Sequence, residues 1–310
     1  QFSYDKRIRC HGRCVAMVGD EEVPKMKLVR KIPVCIRIDG KAFHTFTRGF
    51  QKPFDEVLIK SMQETMLYLC KNIQGCVLGY IQSDEISLIL IDYQNLTTSA
   101  WFDYEVQKIC SVSASMATMA FNNIFSKYVR EFDLALAYND NDIDTKENRK
   151  LWEIYNRAVE KGAMFDSRCF NIPKEDVANL IFWRQFDASN NSVQMVGQAY
   201  FTQEELNNKN TNQIQDMLMT QKGINWNDYP IYQKRGSCCI KRKFWIDKND
   251  GCEFSEEYSC ELEKAGVNSD NAIKKTEWII DKNIPIFKGE NRKYINDLIL
   301  YNEDEICKVY

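Results

Sequence analysis

The chain has 310 residues, of which 27% are charged and 44% hydrophobic, and its formal net charge is −3. This length is enough to bury a sizeable core, so we expect one large domain or one domain with extensions. No apolar run approaches membrane-spanning length, which excludes a membrane-spanning class and predicts no membrane partner. The slightly acidic balance gives no global signal for nucleic-acid binding, although a local basic face is compatible with it.

The 12 cysteines are scattered, and several lie inside apolar segments: Cys35, Cys70, Cys76, Cys110 and Cys169. Buried thiols in such positions are normally reduced, which predicts a reducing compartment. The first residues show no basic stretch followed by an apolar stretch, so we expect no signal peptide. The predicted location is the cytoplasm, and a mitochondrial location stays open.

An apolar strand is predicted over residues 32–38, and it runs directly into Asp39 and Gly40. A glycine at this point allows the backbone to approach a ligand closely. A loop rich in basic and aromatic residues follows. Asp55 is the expected N-cap of a helix from about 56 to 73.

A β-hairpin is predicted next, because apolar runs at residues 77–81 and 86–91 flank the polar segment 82–85. A second long helix is expected from near Asp103 to about Lys127. A stripe of small residues would let this helix pack closely on a sheet: Ser111, Ser115 and Thr118.

A final strand at residues 167–171 would complete the order βαββαβ, which is the ferredoxin-like pattern. In such a sheet the third strand lies between the first two and runs antiparallel to both. The end of the first strand therefore neighbours the start of the third. This topology predicts that Asp39 lies close to Asp84 and Glu85.

Carboxylates that lie this close together repel each other unless a cation is present. A pair on a rigid sheet edge suits two Mg²⁺ ions, which bind through one or two carboxylates and substrate phosphates. Each acid alone is a weak signal, since Asp39 could belong to an ordinary turn and Asp84 to a solvated hairpin tip. Their predicted convergence favours the catalytic interpretation.

Basic residues flank the acids and could neutralise a triphosphate: Lys41, His44, Lys52 and Lys108. Lys108 could equally be a surface lysine of the second helix, and His44 could be a structural imidazole. With only two histidines in the chain, a metal cluster of histidines is excluded.

Several short motifs resemble the signatures of the tRNA-His guanylyltransferase superfamily, at residues 38–44, 52–55, 82–85, 165–168 and 182–185. The resemblance spans about residues 30–242. It implies a polymerase palm that adds nucleotides in the 3′–5′ direction at the 5′ end of tRNA. It also implies two Mg²⁺ ions, ATP, GTP and other NTPs as substrates, and a homotetramer.

The resemblance implies roles for individual residues. Asp39, the carbonyl of Gly40 and Asp84 would hold the two Mg²⁺ ions, and Glu85 would be a catalytic acid beside them. The positions that match nucleotide and triphosphate binding are Lys41, Phe43, His44, Lys52, Asp55, Ser83 and Lys108. The positions that match RNA binding or nucleotide activation are Arg168, Arg184, Asn191 and Lys209.

One segment differs from the eukaryotic members, which carry His-Ile-Asn-Asn after an Arg-Gln-x-Asp sequence. This chain has Ser189 where the histidine stands. The segment resembles the bacterial-type branch, as do residues 206–211 and the stretch 278–287. That branch consists of template-dependent 3′–5′ polymerases that repair truncated tRNA.

We therefore predict an α+β fold, a ferredoxin-like polymerase palm (βαββαβ) with an additional, mainly helical C-terminal region. The predicted divisions are an N-terminal arm, a palm-like catalytic core, a family-specific region and a C-terminal extension, at residues 1–31, 32–172, 173–242 and 243–310.

The predicted activity is template-dependent repair of 5′-truncated tRNA, with ATP activation of 5′-monophosphate ends. Three alternatives stay open. Addition of a single G to tRNA-His is disfavoured by residues 188–192, and a palm-type nucleotide cyclase by the long region 165–242. A non-catalytic RNA-binding module would have a broken acid pair, whereas the pair here is intact.

Overall fold

A computed structural model describes residues 25–300 except 96, 139–144, 248, 250 and 255–271. Its centre is a six-stranded antiparallel sheet in the order β4-β1-β3-β2-β5-β6. The strands are β1 (Val34–Gly40), β2 (Cys76–Gln82), β3 (Glu85–Leu90), β4 (Phe165–Asn171), β5 (Ser237–Asp247) and β6 (Ala272–Asp281). The third strand lies between the first two, so the predicted palm topology is confirmed.

Helices cover both faces of this sheet. They are α1 (Phe43–Phe46), α2 (Glu56–Asn72), α3 (Val106–Tyr138), α4 (Lys146–Lys161), α5 (Val177–Tyr200), α6 (Gln203–Leu206), α7 (Thr211–Lys222), α8 (Ile231–Arg235) and α9 (Lys293–Ile299). Short 3₁₀ turns occupy Trp101–Tyr104, Lys174–Asp176, Trp226–Asp228 and Gly289–Arg292. Asp55 caps α2 as predicted, since its carboxylate accepts a hydrogen bond from the Leu58 amide.

One face of the sheet packs against α2 and α3. Alternate strand residues such as Ile36, Ile38 and Leu88 are fully buried there. A cluster of aromatic rings joins α1, α3 and β4 beside them: Phe43, Phe46, Phe50, Phe121, Phe125 and Phe165. Full burial of each large apolar side chain contributes roughly 1.5–3 kcal/mol, so this layer anchors the segment that follows β1.

The opposite face packs against α5 and a C-terminal segment. Cys35, Tyr80 and Ile89 point to this side and meet Ile181 and Phe287. The buried amide of Gln185 joins the two covering elements, because its Nε2 donates to the Pro285 carbonyl at 2.8 Å and its Oε1 accepts from the Phe287 amide at 3.0 Å. The C-terminal extension therefore completes the second core layer.

Several cysteines are buried as predicted, including Cys35, Cys70 and Cys76. Burial raises the pKa of Cys35 to about 12, which keeps its thiol protonated and unreactive. Cys110 and Cys169 are only half-buried, and their Sγ atoms lie 3.6 Å apart.

Two details of the sequence prediction are wrong. Helix α3 continues to Tyr138, well beyond Lys127. Its small residues Ser111 and Ser115 are exposed, whereas Ser113 and Ala117 are buried against the sheet. Small residues occur on several faces of this helix, so residue size alone does not identify the packed face.

The structure also differs from the sequence prediction in the length of one strand. The sequence predicts a short strand at residues 237–240. In the structure this strand, β5, continues past β2 to Asp247 and pairs with β6. Residues 1–24 of the predicted arm and residues 255–271 and 301–310 of the extension lie outside the described residues. The predicted domain divisions stay predictions. Across the described ranges, no helix combines the length and the apolar character that crossing a membrane requires.

Candidate active site

Two carboxylates meet at one end of the central sheet. Asp39 lies near the end of β1, opposite Glu85 at the start of β3, and Asp84 lies in the turn that joins β2 to β3. Ser83, the other turn residue, has a positive φ of 51°, which keeps this turn tight. Burial raises the pKa of Asp84, and the negative charges of Asp39 and Glu85 raise it further.

Asp39 and Asp84 fit the predicted magnesium site in their chemistry. They supply the oxygen donors that Mg²⁺ prefers, and a cation would relieve the repulsion that raises the pKa of Asp84. Within the described residues, no group of three or more His, Cys, Asp or Glu side chains is gathered closely enough to hold a metal ion. Water and substrate phosphates would therefore complete the coordination, as is usual for Mg²⁺.

Gly40 follows Asp39, and its neighbourhood explains why a glycine stands there. A Cβ atom at this position would lie 2.2 Å from the Phe43 ring. Phe43 itself is buried in the aromatic cluster. The backbone can therefore pass this close to the ring only when no side chain is present.

Glu85 does not share the environment of the other two acids. Arg184 of α5 donates to both of its oxygens, from Nε at 2.8 Å and from Nη2 at 2.6 Å. The Nε atom of Arg37 lies 3.5 Å from Glu85 Oε1. The carboxylate of Glu85 is thus neutralised within the protein.

A cavity of about 490 Å³ lies on one side of Asp84, and we call it the loop cavity because residues 40–53 form much of its wall. Predicted residues that line it include Gly40, Phe43, His44, Lys52, Asp55, Ser83 and Asp84. The His44 and Lys52 side chains are exposed. The loop cavity therefore places positive and polar groups next to the acid pair.

Asp55 lines this cavity, but its carboxylate is already engaged. It accepts hydrogen bonds from the amides of Leu58 and Gln51, both at 2.9 Å, and from the Tyr155 hydroxyl at 2.7 Å. Burial raises the pKa of Asp55, and these hydrogen bonds partly offset that effect. Asp55 therefore holds the segment at Gln51 against the start of α2 and thereby fixes this part of the cavity wall. Its contact with a nucleotide stays a prediction.

A second cavity, of about 440 Å³, adjoins the first and also borders Asp84, and we call it the helix cavity because α5 forms much of its wall. The predicted residues Asp39, Glu85, Arg184 and Asn191 line it, together with residues that the sequence analysis did not identify: Asp187, Gln194, Met195, Gln198, Tyr232 and Gln233. Those on α5 recur every three or four residues after Arg184, so helical spacing could have identified them.

Other predicted residues do not line either cavity. Lys41 is exposed, Lys108 lies with Nζ 5.1 Å from the centre of the Phe102 ring, and Arg168 lies with Nη2 3.6 Å from Asp166. Lys209 is in the turn before α7, where its amide donates to the Leu206 carbonyl. Their roles in nucleotide or RNA binding stay predictions.

Comparisons with known proteins agree with this architecture. The family model Thg1, described as tRNAHis guanylyltransferase, matches residues 17–173. A solved bacterial tRNA(His) guanylyltransferase-like protein in complex with ATP is 37% identical, with a TM-score of 0.68 over 93% of this chain and 98% of its own. A second, in complex with GTP, is 34% identical, with a TM-score of 0.67 over 94% of this chain and 100% of its own.

The tRNA(His) guanylyltransferase of Saccharomyces cerevisiae is also similar. It is 25% identical over 230 residues, which is 68% of this chain and 84% of the relative. Both bacterial-type structures match beyond the segment covered by the family model, so the similarity includes the C-terminal layer of the fold.

Proposed function

Since the chain belongs to the tRNA-His guanylyltransferase (Thg1) family and is a nucleotidyltransferase, we propose that it repairs the 5′ end of truncated tRNA by template-dependent 3′–5′ nucleotide addition. The observation that carries this proposal is that Asp84 borders both cavities and Asp39 borders the helix cavity. Two substrates, an NTP and the 5′ end of an RNA, can approach one acid pair from different sides.

The chemistry requires two transfers. In the first, a 5′-monophosphate oxygen of the RNA attacks the α-phosphate of ATP, pyrophosphate leaves, and a 5′-adenylylated RNA forms. In the second, the 3′-hydroxyl of the incoming NTP loses its proton and attacks the activated 5′-phosphate, and AMP leaves. A 5′-triphosphate end enters directly at the second transfer, with pyrophosphate as the leaving group.

The residues of the two cavities suit these substrates. Lys52 and His44 would bind the triphosphate in the loop cavity. Asn191 and the neighbouring polar residues of α5 would bind the RNA end in the helix cavity. When bound at Asp39, Asp84 and the Gly40 carbonyl, two Mg²⁺ ions would neutralise phosphate charge and lower the pKa of the attacking hydroxyl. The ATP and GTP complexes of the bacterial-type relatives support nucleotide substrates.

Template dependence is supported by the side chain at position 189. The Ser189 hydroxyl donates to the Gln185 carbonyl within its own helix, at 3.0 Å. A short hydroxyl engaged in this way offers no imidazole for an RNA contact. Selection of the added nucleotide would then depend on pairing with the opposite tRNA strand, which can specify any of the four bases.

Addition of a single G to tRNA-His is the second candidate, favoured by the similarity to the yeast enzyme of that name. Under either activity the partner is tRNA. The homotetramer and the cytoplasmic location implied by the sequence stay predictions.

The deciding experiment supplies 5′-truncated tRNAs that differ only in the base opposite the missing nucleotide. All four NTPs are present, and the products are sequenced. We expect the added base to complement each template base in several tRNAs, without a requirement for the tRNA-His anticodon. Addition of G to tRNA-His alone, whatever the template, would replace this proposal with the second candidate. Asp84→Asn serves as the inactive control.

A further inference from the structure

The acids at the end of the sheet differ in their partners. Burial raises the pKa of Asp84, and the neighbouring carboxylates of Asp39 and Glu85 raise it further. Glu85 is next to it in sequence and opposite Asp39 in the sheet, yet Arg184 holds both of its oxygens at 2.6–2.8 Å. Adjacent acids therefore occupy opposite electrostatic environments.

The contact between Glu85 and Arg184 is largely shielded from water. The side chains are 13% and 9% exposed, respectively. A guanidinium that grips a carboxylate with two parallel hydrogen bonds fixes its orientation as well as its charge. Arg37 adds a second positive charge, and its buried Nε has no hydrogen-bond partner among the described residues. Arg184 also reaches Asp187, with Nη1 3.4 Å from its carboxylate. Both oxygens of Glu85 are thus engaged by guanidinium groups, which disfavours a bound cation at this oxygen pair.

The same contact connects distant parts of the chain. Glu85 begins β3, whereas Arg184 lies two turns into α5 and is followed on that helix by Asp187, Asn191 and Met195, which line the helix cavity. A displacement of Arg184 would move this wall relative to Asp84. The contact couples the position of α5 to the start of β3, next to Asp84.

We propose that Glu85 is a positioning residue: its ion pair with Arg184 keeps its carboxylate out of metal coordination and fixes α5 beside Asp39 and Asp84. This assignment differs from the catalytic role that the family resemblance implies for Glu85. It rests on the proposed metal site, and it restricts the protein ligands of that site to Asp39, the Gly40 carbonyl and Asp84.

The test measures Mn²⁺ binding to the full chain without nucleotide, by electron paramagnetic resonance, together with kcat and KM for nucleotide addition. Asp84→Asn should remove Mn²⁺ binding. Glu85→Gln should keep the Mn²⁺ affinity within about twofold of the wild type while kcat falls, because no ligand is lost but the wall of the helix cavity shifts.

Arg184→Gln provides the opposite change, since it releases Glu85 without removing it. A carboxylate that has lost both hydrogen bonds from Arg184, with only Arg37 remaining 3.5 Å away, should raise the Mn²⁺ affinity roughly fivefold while kcat falls. Arg130→Gln is the matched control, because Arg130 is exposed on α3 and its Nε donates to the Ser126 carbonyl of its own helix. It should leave both quantities unchanged.

The measurements distinguish the positioning role of Glu85 from the proposed metal site at Asp39 and Asp84. Loss of Mn²⁺ binding in Glu85→Gln, equal to that in Asp84→Asn, would make Glu85 a ligand and overturn the inference alone. An unchanged Mn²⁺ affinity in Arg184→Gln would also overturn it. Retained Mn²⁺ binding in Asp84→Asn would overturn the proposed metal site and this inference with it. If Arg184→Gln does not fold, as judged by circular dichroism, Glu85→Gln decides the question.

Discussion

The loop cavity and the helix cavity both border Asp84, but they are assembled from different parts of the chain. Residues 40–53 form a continuous wall of the loop cavity, beside the end of β1. The helix cavity instead combines side chains from Asp39 through to Gly236, on strands β1 and β3 and on helices α2, α5 and α8. The loop cavity is therefore mostly built from one short segment, completed by Ser83 and Asp84 and by Met195 and Gln198 of α5, whereas the helix cavity draws on distant elements throughout.

This difference has consequences for stability and function. Substitutions in the loop cavity should alter NTP binding and leave the fold intact. Substitutions that loosen the packing of α5 should alter the helix cavity first. Changes at Asp84, which is among the residues that border both cavities, should affect both substrates at once.

Asp84→Asn should have the largest effect, because both cavities border this residue. We expect nucleotide addition to fall by roughly a thousandfold or more, since a carboxylate that holds a catalytic metal contributes several kcal/mol. Activity should be lost with both a 5′-monophosphate and a 5′-triphosphate RNA. Single-turnover assays with each RNA would measure this. Activity near that of the wild type would refute the role of this acid pair.

The same variant should be more stable than the wild type at neutral pH. The pKa of Asp84 is higher in the folded state than in the unfolded chain, so the folded wild type loses stability as pH rises above the ordinary aspartate pKa of about 3.9. The asparagine variant lacks this loss. The difference in free energy of unfolding should therefore shrink as pH falls toward that value, which denaturant titrations at several pH values can follow.

Lys52→Ala should have an intermediate effect, confined to the loop cavity. Loss of one charged contact to a triphosphate should raise KM for the NTP about tenfold, equivalent to about 1.4 kcal/mol, with little change in the KM for RNA. Lys108→Ala removes the same charge from a residue that lines neither cavity. It should leave KM for the NTP unchanged, and equal increases in KM for both variants would contradict the placement of the triphosphate in the loop cavity.

Gln185→Ala should have the smallest effect on activity and a clear effect on stability. Its removal leaves the buried Phe287 amide without its acceptor, which should lower the free energy of unfolding by about 1–3 kcal/mol. Because α5 then loses an anchor, KM for RNA should rise while KM for the NTP stays constant. Gln107→Ala, at an exposed position on α3, is the control. A rise in KM for the NTP alone would contradict the separation of the two cavities.

Many of the residues that line the loop cavity could be identified from the sequence, because they follow one another on a short segment. Asp39 and Gly40 follow directly on an apolar strand, and His44 and Lys52 lie on the same short segment. The convergence of Asp39 with Asp84 needed only the order of strands and helices, which the hydrophobic pattern supplied.

The helix cavity was predicted only in part. Tyr232 and Gln233 reach it because β5 pairs with β2, with Ser237 opposite Ile81, and no local pattern specifies such a distant partner. The pairing of β5 with β6 has the same cause, which is why the length of β5 was underestimated. The paired state of Glu85 was also missed, since it depends on a residue 99 positions away in sequence.

The turn formed by Ser83 and Asp84 limits where the chain can change in length. Side chains on a strand alternate between the two faces of a sheet. A one-residue insertion or deletion that shifts β3 along β1 and β2 would therefore turn every β3 side chain to the opposite face. Ile86 and Leu88 would exchange places with Ser87 and Ile89, and Glu85 would lose Arg184. Tags and inserted domains therefore do not belong in the hairpin that carries Asp84.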